Sequence, residues 1–166
     1  MVVITTSRKP SQRTRSFVND LARILSIKIL NRGKSPLGDI LSEYDKLIVV
    51  EEYKGNPGKI KFYDIAKNKI ISILISAKLQ REVCEEETTN VEGKISMEFM
   101  ENAKKYQKLF YDFFSGFGIV DDNSSFKMRF EGSLSDKNIF YIQFYENDKK
   151  IGPLIIVKSL KLLEID

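Results

Sequence analysis

The sequence predicts a mixed α/β fold in which short strands alternate with helices. Three observations predict this class. Val2–Thr6 is a β-branched run without polar alternation, which is typical of a buried strand. The next segment has apolar residues three or four positions apart, which is typical of a helix. A second apolar run at Lys46–Tyr53 ends at the turn sequence Gly55-Asn56-Pro57-Gly58, which favours a hairpin.

The first half of the chain reads as β-α-β-α-β-β-β. Ser11 is the expected N-cap of the first helix, whose buried face consists of Phe17, Leu21, Ile24 and Leu25. After it we expect a strand at 26–30, a helix at 36–44, and strands at Lys46–Tyr53, 59–65 and 70–76.

The second half repeats this plan in outline. We expect an irregular connection over 77–94, opening with a strand around 78–83, and then a long helix over 96–117. Strands are expected at 126–134, 138–146 and 150–157, while 158–166 fits a strand or a helix. A helix followed by three strands in each half predicts an internal duplication. We therefore expect a single domain over 1–166, with halves at 1–77 and 96–166 joined by an acidic connection over 78–95.

Composition excludes several classes of protein. The 166 residues are 42% hydrophobic and 30% charged, which are globular values, and no apolar run reaches the ~20 residues of a membrane span. No secretory signal is expected, because the N-terminus lacks a long apolar stretch. The single cysteine, Cys84, excludes an intrachain disulfide and indicates a reducing, cytoplasmic location.

The chain contains no histidine, which argues against an enzyme. Ser-His-Asp and Cys-His catalysis are excluded, and one cysteine cannot supply a usual zinc site. No nucleotide-binding glycine pattern follows the first strand. We expect neither a catalytic site nor a cofactor or metal.

Charge is distributed unevenly along the chain. The net charge is +4, but residues 1–34 hold eight cations against one acid, Asp20. The segment 80–102 holds seven glutamates against two cations. This polarity predicts a polyanion partner for the basic end.

The turn between the first strand and the first helix is the candidate binding site. The N-terminus of a helix offers free N–H groups and the positive end of its dipole, and cations gather there, so phosphate is the expected ligand. Arg13 lies four residues before Phe17, so we expect it to reach the same point as Arg8. Solvated cations in an ordinary turn are the alternative. The candidate residues are Thr6, Ser7, Arg8, Lys9, Ser11, Arg13 and Arg15, extended by Arg32 and Lys34 in the next turn.

Three further sets of residues fit more than one role. Lys127 and Arg129 suit an RNA-binding strand face, but a solvated face is favoured. Tyr141 and Tyr145 could stack on bases, but sheet packing is favoured. The run Glu85-Glu86-Glu87 could bind Mg²⁺, but a solvated loop or a surface for a protein partner is favoured.

An ordered series of short motifs runs along the chain: the run from Ile4 to Ser11 (ITTSRKPS) with Arg13, Arg15, Phe17, Asp20 and Leu21; Asn31-Arg32-Gly33-Lys34; Gly55-Asn56-Pro57-Gly58 with Ile60 and Phe62-Tyr63; Lys78-Leu79-Gln80-Arg81-Glu82; and Ile151-Gly152-Pro153. In these motifs the chain resembles the Brix-domain proteins of the Imp/Brix superfamily of ribosome-biogenesis factors. These motifs span nearly the whole chain. In this compactness the chain resembles the archaeal members of the family. One departure is Leu154, where many relatives carry arginine after the proline.

The resemblance implies a duplicated fold whose halves are similar to the anticodon-binding domain of class II aminoacyl-tRNA synthetases. It also implies rRNA or pre-rRNA binding in ribosome assembly, without catalysis. Two other hypotheses stay open. One is a scaffold whose acidic segment 80–102 meets ribosomal or other assembly proteins, and the other is a small phosphate-binding enzyme. The oligomeric state is open, with a monomer expected.

Overall fold

The computed structural model describes residues 2–31, 33, 35–84, 94–115, 120–133 and 137–165. These residues form a nine-stranded sheet in the order β2-β1-β3-β4-β5-β9-β8-β7-β6. The strands are β1 Val2–Thr6, β2 Lys28–Ile29, β3 Lys46–Tyr53, β4 Asn56–Asp64, β5 Lys69–Lys78, β6 Ser96–Phe99, β7 Phe126–Gly132, β8 Phe140–Glu146 and β9 Lys149–Glu164. The helices are α1 Gln12–Leu25, α2 Leu37–Leu41, α3 Gln80–Val83 and α4 Gln107–Ser115, with a 3₁₀ helix at Glu101–Tyr106.

The strand pairings follow a similar order in the two halves. β1 runs parallel to β2 and β3, and β3, β4 and β5 form an antiparallel meander. β6 runs parallel to β7, and β7, β8 and β9 form a second meander. Ile95, just before β6, bridges Val120 in parallel. β5 and β9 pair antiparallel at the centre of the sheet and join the halves.

One hydrophobic core lies on the front face of the sheet, which α1 and α4 cover. It contains buried residues of both halves, from Phe17 on α1 to Phe144 on β8. Phe62 of β4 contacts the rings of Phe110 and Phe114 on α4 edge to face, at centroid distances of 5.7 and 5.8 Å. The core therefore spans the junction between the halves.

A smaller apolar cluster lies on the back face under α2. It includes Val3, Leu47 and Val49 from the strands and Ile40 from the helix. α1 and α2 thus lie on opposite faces of the parallel part of the sheet. Among the described residues, no helix is long and apolar enough to cross a lipid bilayer.

The order predicted for the first half is confirmed. β1 and β3 have the predicted bounds, and Ser11 caps α1. The four apolar residues of the α1 face are buried, as the helical spacing predicts: Phe17, Leu21, Ile24 and Leu25.

Two predicted elements of the second half are wrong. The first four residues of the helix predicted over 96–117 form strand β6 instead, because Ser96–Phe99 pair in parallel with β7. A left-handed Glu101, at φ 51°, then turns the chain into the 3₁₀ helix and α4, which ends at Ser115. Residues 116–119, which include the end of the predicted helix at 117, lie outside the described residues.

The strand expected around 78–83 is also replaced. β5 continues to Lys78 and is followed by the short helix α3. The open choice at 158–166 resolves as strand, since β9 continues to Glu164 along β5.

Candidate nucleic-acid interface

A cleft of about 430 Å³ lies beyond the carboxyl ends of β1 and β2. Two hydrogen bonds hold these ends together. Leu30 donates its N–H to the Ile4 carbonyl at 2.8 Å, and the buried Thr5 hydroxyl donates to the Leu30 carbonyl at 2.8 Å. Ser7 donates its N–H to the Val50 carbonyl of β3 at 3.0 Å. Hydrogen bonds therefore connect the floor of the cleft to the ends of β1 and β2 and to β3.

The position of the cleft follows from the topology. β1 leads into α1 on the front face, and β2 leads towards α2 on the back face. The chain thus leaves two neighbouring parallel strands in opposite directions. Open α/β sheets form their binding crevices where the chain direction switches in this way.

The cleft presents cations and neutral polar groups. Arg8, Lys9 and Arg15 line the cleft and are exposed. The half-buried Thr6 and Ser7 also line it. The described lining residues include no aspartate or glutamate. Such a surface suits a phosphate ester, because guanidinium groups bind phosphate oxygens through two hydrogen bonds and hydroxyls add neutral donors.

The amino end of α1 is occupied by a carboxylate of the same chain. Glu52 Oε1 accepts hydrogen bonds from the Ser11 N–H at 2.8 Å and from the Thr14 hydroxyl at 2.6 Å. The Ser11 hydroxyl accepts from the Thr14 N–H at 3.2 Å and donates to the Gly55 carbonyl at 2.9 Å. The expectation that a bound phosphate uses the tip of this helix is therefore corrected, because an internal acid already fills it.

These contacts keep Glu52 ionised. Hydrogen bonds from Ser11 and then from Thr14 lower the pKa of Glu52 below its usual 4.5. The carboxylate therefore remains an acceptor at neutral pH and competes with any external anion at Ser11.

Arg13, which was expected to reach the same point as Arg8, does not line the cleft. Its guanidinium donates to Glu82 Oε1 at 2.8 Å and to the Ala77 carbonyl at 3.3 Å, at the junction of β5 and α3. The bond from Arg13 lowers the pKa of Glu82. The residues that Arg13 contacts therefore lie at the start of the connection between the halves and not in the cleft.

The remaining predicted residues divide between the cleft and its surroundings. Ser11 lies behind the cleft wall, where it caps α1. Arg32 and Lys34 lie outside the described residues, although Gly33 between them lines the cleft.

Sequence reasoning missed two amides in the cleft wall, Asn19 and Asn31. Asn19 lies four residues after Arg15, so the two share one face of α1. That spacing was a usable signal. Asn31 lies directly after β2 and opens the motif Asn31-Arg32-Gly33-Lys34, of which only the two cations are candidates in the sequence analysis.

The other charged candidates are paired within the chain. Glu98 binds Lys127 at 3.1 Å and Arg129 at 2.9 Å. Burial opposes ionisation of Glu98, but these two cations together give it a lowered pKa. The positive charges of Lys127 and Arg129 are thus balanced in part by the carboxylate of Glu98 on the same face of the sheet.

The two tyrosines pack in the sheet as favoured. Tyr145 is buried under Arg129, whose guanidinium lies 4.3 Å from the ring centroid. Burial, with a hydrogen bond to Glu131 at 2.8 Å, raises the pKa of Tyr145 to about 12. Tyr141 is half-buried.

Of the three glutamates of segment 80–102 that the structure describes, Glu82 and Glu98 are in ion pairs within the chain. The run Glu85-Glu86-Glu87 lies outside the described residues. In the part of the chain that is described, no group of acidic or cysteine residues could hold a metal ion.

The nine-stranded sheet and the helices that cover it form an Imp4-like fold. The crystal structure of Mil, an archaeal Imp4-like protein, matches with a TM-score of 0.72 and 25% identity, covering 98% of this chain and 100% of that one. The crystal structure of an Aeropyrum pernix protein shares the fold, with a TM-score of 0.75 and 22% identity over 99% of this chain and 98% of that one.

Sequence similarity narrows the class to one family. A Methanococcus maripaludis protein named "Probable Brix domain-containing ribosomal biogenesis protein" is 41% identical over 165 residues, covering 99% of this chain and 100% of the relative. A Methanothermobacter thermautotrophicus protein of the same name is 52% identical over 64 residues, which cover 38% of this chain and 41% of the relative. No protein-family model matches the sequence. The chain belongs to the family of Brix domain-containing ribosomal biogenesis proteins.

Proposed function

We propose that this protein binds rRNA or pre-rRNA through the cleft at β1 and β2 and acts in ribosome biogenesis without catalysing a reaction. The observation that carries the proposal is the grouping of Arg8, Lys9 and Arg15 around a cleft whose described lining contains no acid. Phosphate contacts supply most of the affinity of such a surface, so binding should fall steeply with salt.

The residues that we propose to contact RNA differ in part from those that the sequence predicts. Arg8 and Arg15 flank the cleft with Lys9, and Thr6, Ser7, Asn19 and Asn31 supply neutral donors. Arg13 and Ser11 support the site from behind, because they hold α1 to α3 and to Glu52. Arg32 and Lys34 extend the basic track in this proposal.

The test compares two double variants that remove the same charge. Arg8→Ala/Arg15→Ala should weaken binding to structured rRNA fragments by tenfold or more. It should also flatten the dependence of log K on log salt concentration by roughly 0.7–0.9 for each lost contact. Lys104→Ala/Lys108→Ala, exposed cations beside and on α4, is the control and should change little. Equal loss in both variants, or none in either, contradicts the proposal.

The scaffold hypothesis has less support. Glu82 and Glu98 are engaged inside the chain, which leaves fewer acids of segment 80–102 for basic assembly proteins. If proteins bound to this chain survive RNase treatment, the scaffold is favoured. If they are lost, RNA carries the association.

We also infer that the two halves arose by duplication. In support, each half has a parallel strand pair followed by an antiparallel meander, and the Ile95–Val120 bridge takes the place of the β1–β2 pair. The similarity of each half to an anticodon-binding domain, the monomeric state and the cytoplasmic location stay predictions.

A further inference from the structure

The back face of the sheet carries an apolar centre beyond the end of the cluster under α2. Leu154 and Ile156 of β9 are half-buried there, and Leu74 of β5 is 44% exposed. On β5 the cluster under α2 reaches only Ile70. The buried side chains of α1 and α4 belong to the front core and that of α2 belongs to the cluster around Val3, so none of these three helices covers this centre.

Three lysines border the apolar centre. Lys59 of β4 pairs directly with Leu74, and Lys78 pairs directly with Leu154, so each lies beside an apolar side chain on the same face. Lys161 of β9 pairs with Ser72, the next residue of β5 on this face beyond Leu74. None of these lysines forms an ion pair with a described residue. We call the three lysines and three apolar residues the lysine-bordered patch.

Two cations elsewhere on the same face are neutralised within the chain. Lys61 lies 3.2 Å from Glu51, and Lys127 lies 3.1 Å from Glu98. Lys59, Lys78 and Lys161, in contrast, border the apolar centre without an ion pair to any described residue. Lysines placed around exposed aliphatic side chains complement a ligand that is apolar in the middle and acidic at its edges.

We propose that the lysine-bordered patch docks a protein segment that presents apolar side chains flanked by aspartate or glutamate. RNA fits less well, because Leu74, Leu154 and Ile156 are aliphatic and Tyr141, the aromatic residue opposite Ile156, is half-buried, whereas bases stack on accessible aromatic or guanidinium planes. The patch is also separate from the cleft. β5 lies three strand spacings from β1, about 14 Å. A protein partner and RNA can therefore be held at the same time.

The test selects binders from a random library of 12-residue peptides on the native protein and on Lys78→Glu/Lys161→Glu. These lysines are exposed, so the variant should fold, and a thermal melt checks this. Peptides enriched on the native protein should combine leucine, isoleucine or phenylalanine with acidic residues. Measured by fluorescence anisotropy, they should bind the variant at least tenfold more weakly. Lys104→Glu/Lys108→Glu is the control of equal charge change and should keep the native affinity.

Two results would overturn the proposal. One is a selection with no acidic enrichment, or with equal enrichment on the native protein and the variant. The other is a loss of affinity for structured rRNA fragments in Lys78→Glu/Lys161→Glu as large as in Arg8→Ala/Arg15→Ala, which would assign the patch to RNA. The peptide readout does not involve Arg8 or Arg15, so failure of the RNA proposal is distinguishable from failure of this one.

Discussion

Glu52 determines what the amino end of α1 can bind. Its carboxylate takes the Ser11 N–H and the Thr14 hydroxyl, groups that an external phosphate at the helix tip would also use. The acid also offsets the cations of the first helical turn, as the helix dipole favours. Anion binding consequently moves away from the helix tip and into the cleft beside it, where Arg8 and Arg15 lie.

Glu52 should make stability depend on pH in the acid range. Its folded pKa lies below 4.5, so its contribution is present above about pH 4.5 and is lost as pH falls through the folded pKa. At about pH 6, Glu52→Gln should be less stable than the native protein by roughly 1 kcal/mol. The difference should shrink at about pH 3. Urea unfolding at both pH values measures it, and a difference that stays constant would show that the charge of Glu52 is not responsible.

Arg13 and Arg15 are two residues apart and should have separate roles. Arg13→Ala removes the Glu82 ion pair and should lower the free energy of unfolding by up to about 1 kcal/mol, as expected of a half-exposed pair. Arg15→Ala should leave stability nearly unchanged but weaken RNA binding more than Arg13→Ala does. Chemical denaturation and RNA titration of both variants provide the measurement. A larger RNA defect in Arg13→Ala would return Arg13 to the binding surface.

At the scale of elements, local patterns predict what local contacts determine. The β1–α1 unit was predictable because its strand pattern, cap and apolar face lie within 25 residues. β6 was not, because Phe99, Ala103 and Phe110 keep a helical spacing, while the pairing that makes Ser96–Phe99 a strand comes from β7. The site shows the same limit. Glu52 meets Ser11 across 41 positions and Glu82 meets Arg13 across 69, so neither contact has a signature in the nearby sequence.

The β3–β4 hairpin depends on Gly58. Pairing shifts register between Glu51 and Glu52, and Gly58 falls at that shift without a partner of its own. A Cβ on Gly58 would lie 2.6 Å from the Cβ of Tyr53. Gly58→Ala should therefore force the strands apart and destabilise the protein by about 1–3 kcal/mol.

Gly55, in the turn of the same hairpin, provides the matched control. No atom lies within 4 Å of its added Cβ, although its φ of 78° disfavours any side chain. Gly55→Ala should thus cost only the backbone strain of that φ, of order 1 kcal/mol. Thermal unfolding of both variants compares them, and an equal loss would show that contact with Tyr53 does not matter.

At the scale of the whole molecule, two features bind the halves into one unit. β5 and β9 pair over ten residue pairs, from Lys69 with Glu164 to Lys78 with Leu154. The front core then continues across this junction, where Phe62 of the first half packs against the α4 phenylalanines of the second. Neither half can expose its side of the junction without uncovering apolar residues of the other.

The halves should therefore unfold together. Phe62 is 4% exposed, so Phe62→Ala leaves a cavity between the halves and should cost about 3–5 kcal/mol. Because the core is shared, the loss should appear in one cooperative transition. Amide exchange in β3 and in β8 should accelerate by the same factor under conditions of global opening. Tyr44→Ala, in the separate cluster under α2, is the comparison and should cost less, since Tyr44 is half-buried. Two separate transitions in urea, or faster exchange confined to the first half, would mean that the halves are stable independently and that β5–β9 pairing only docks them.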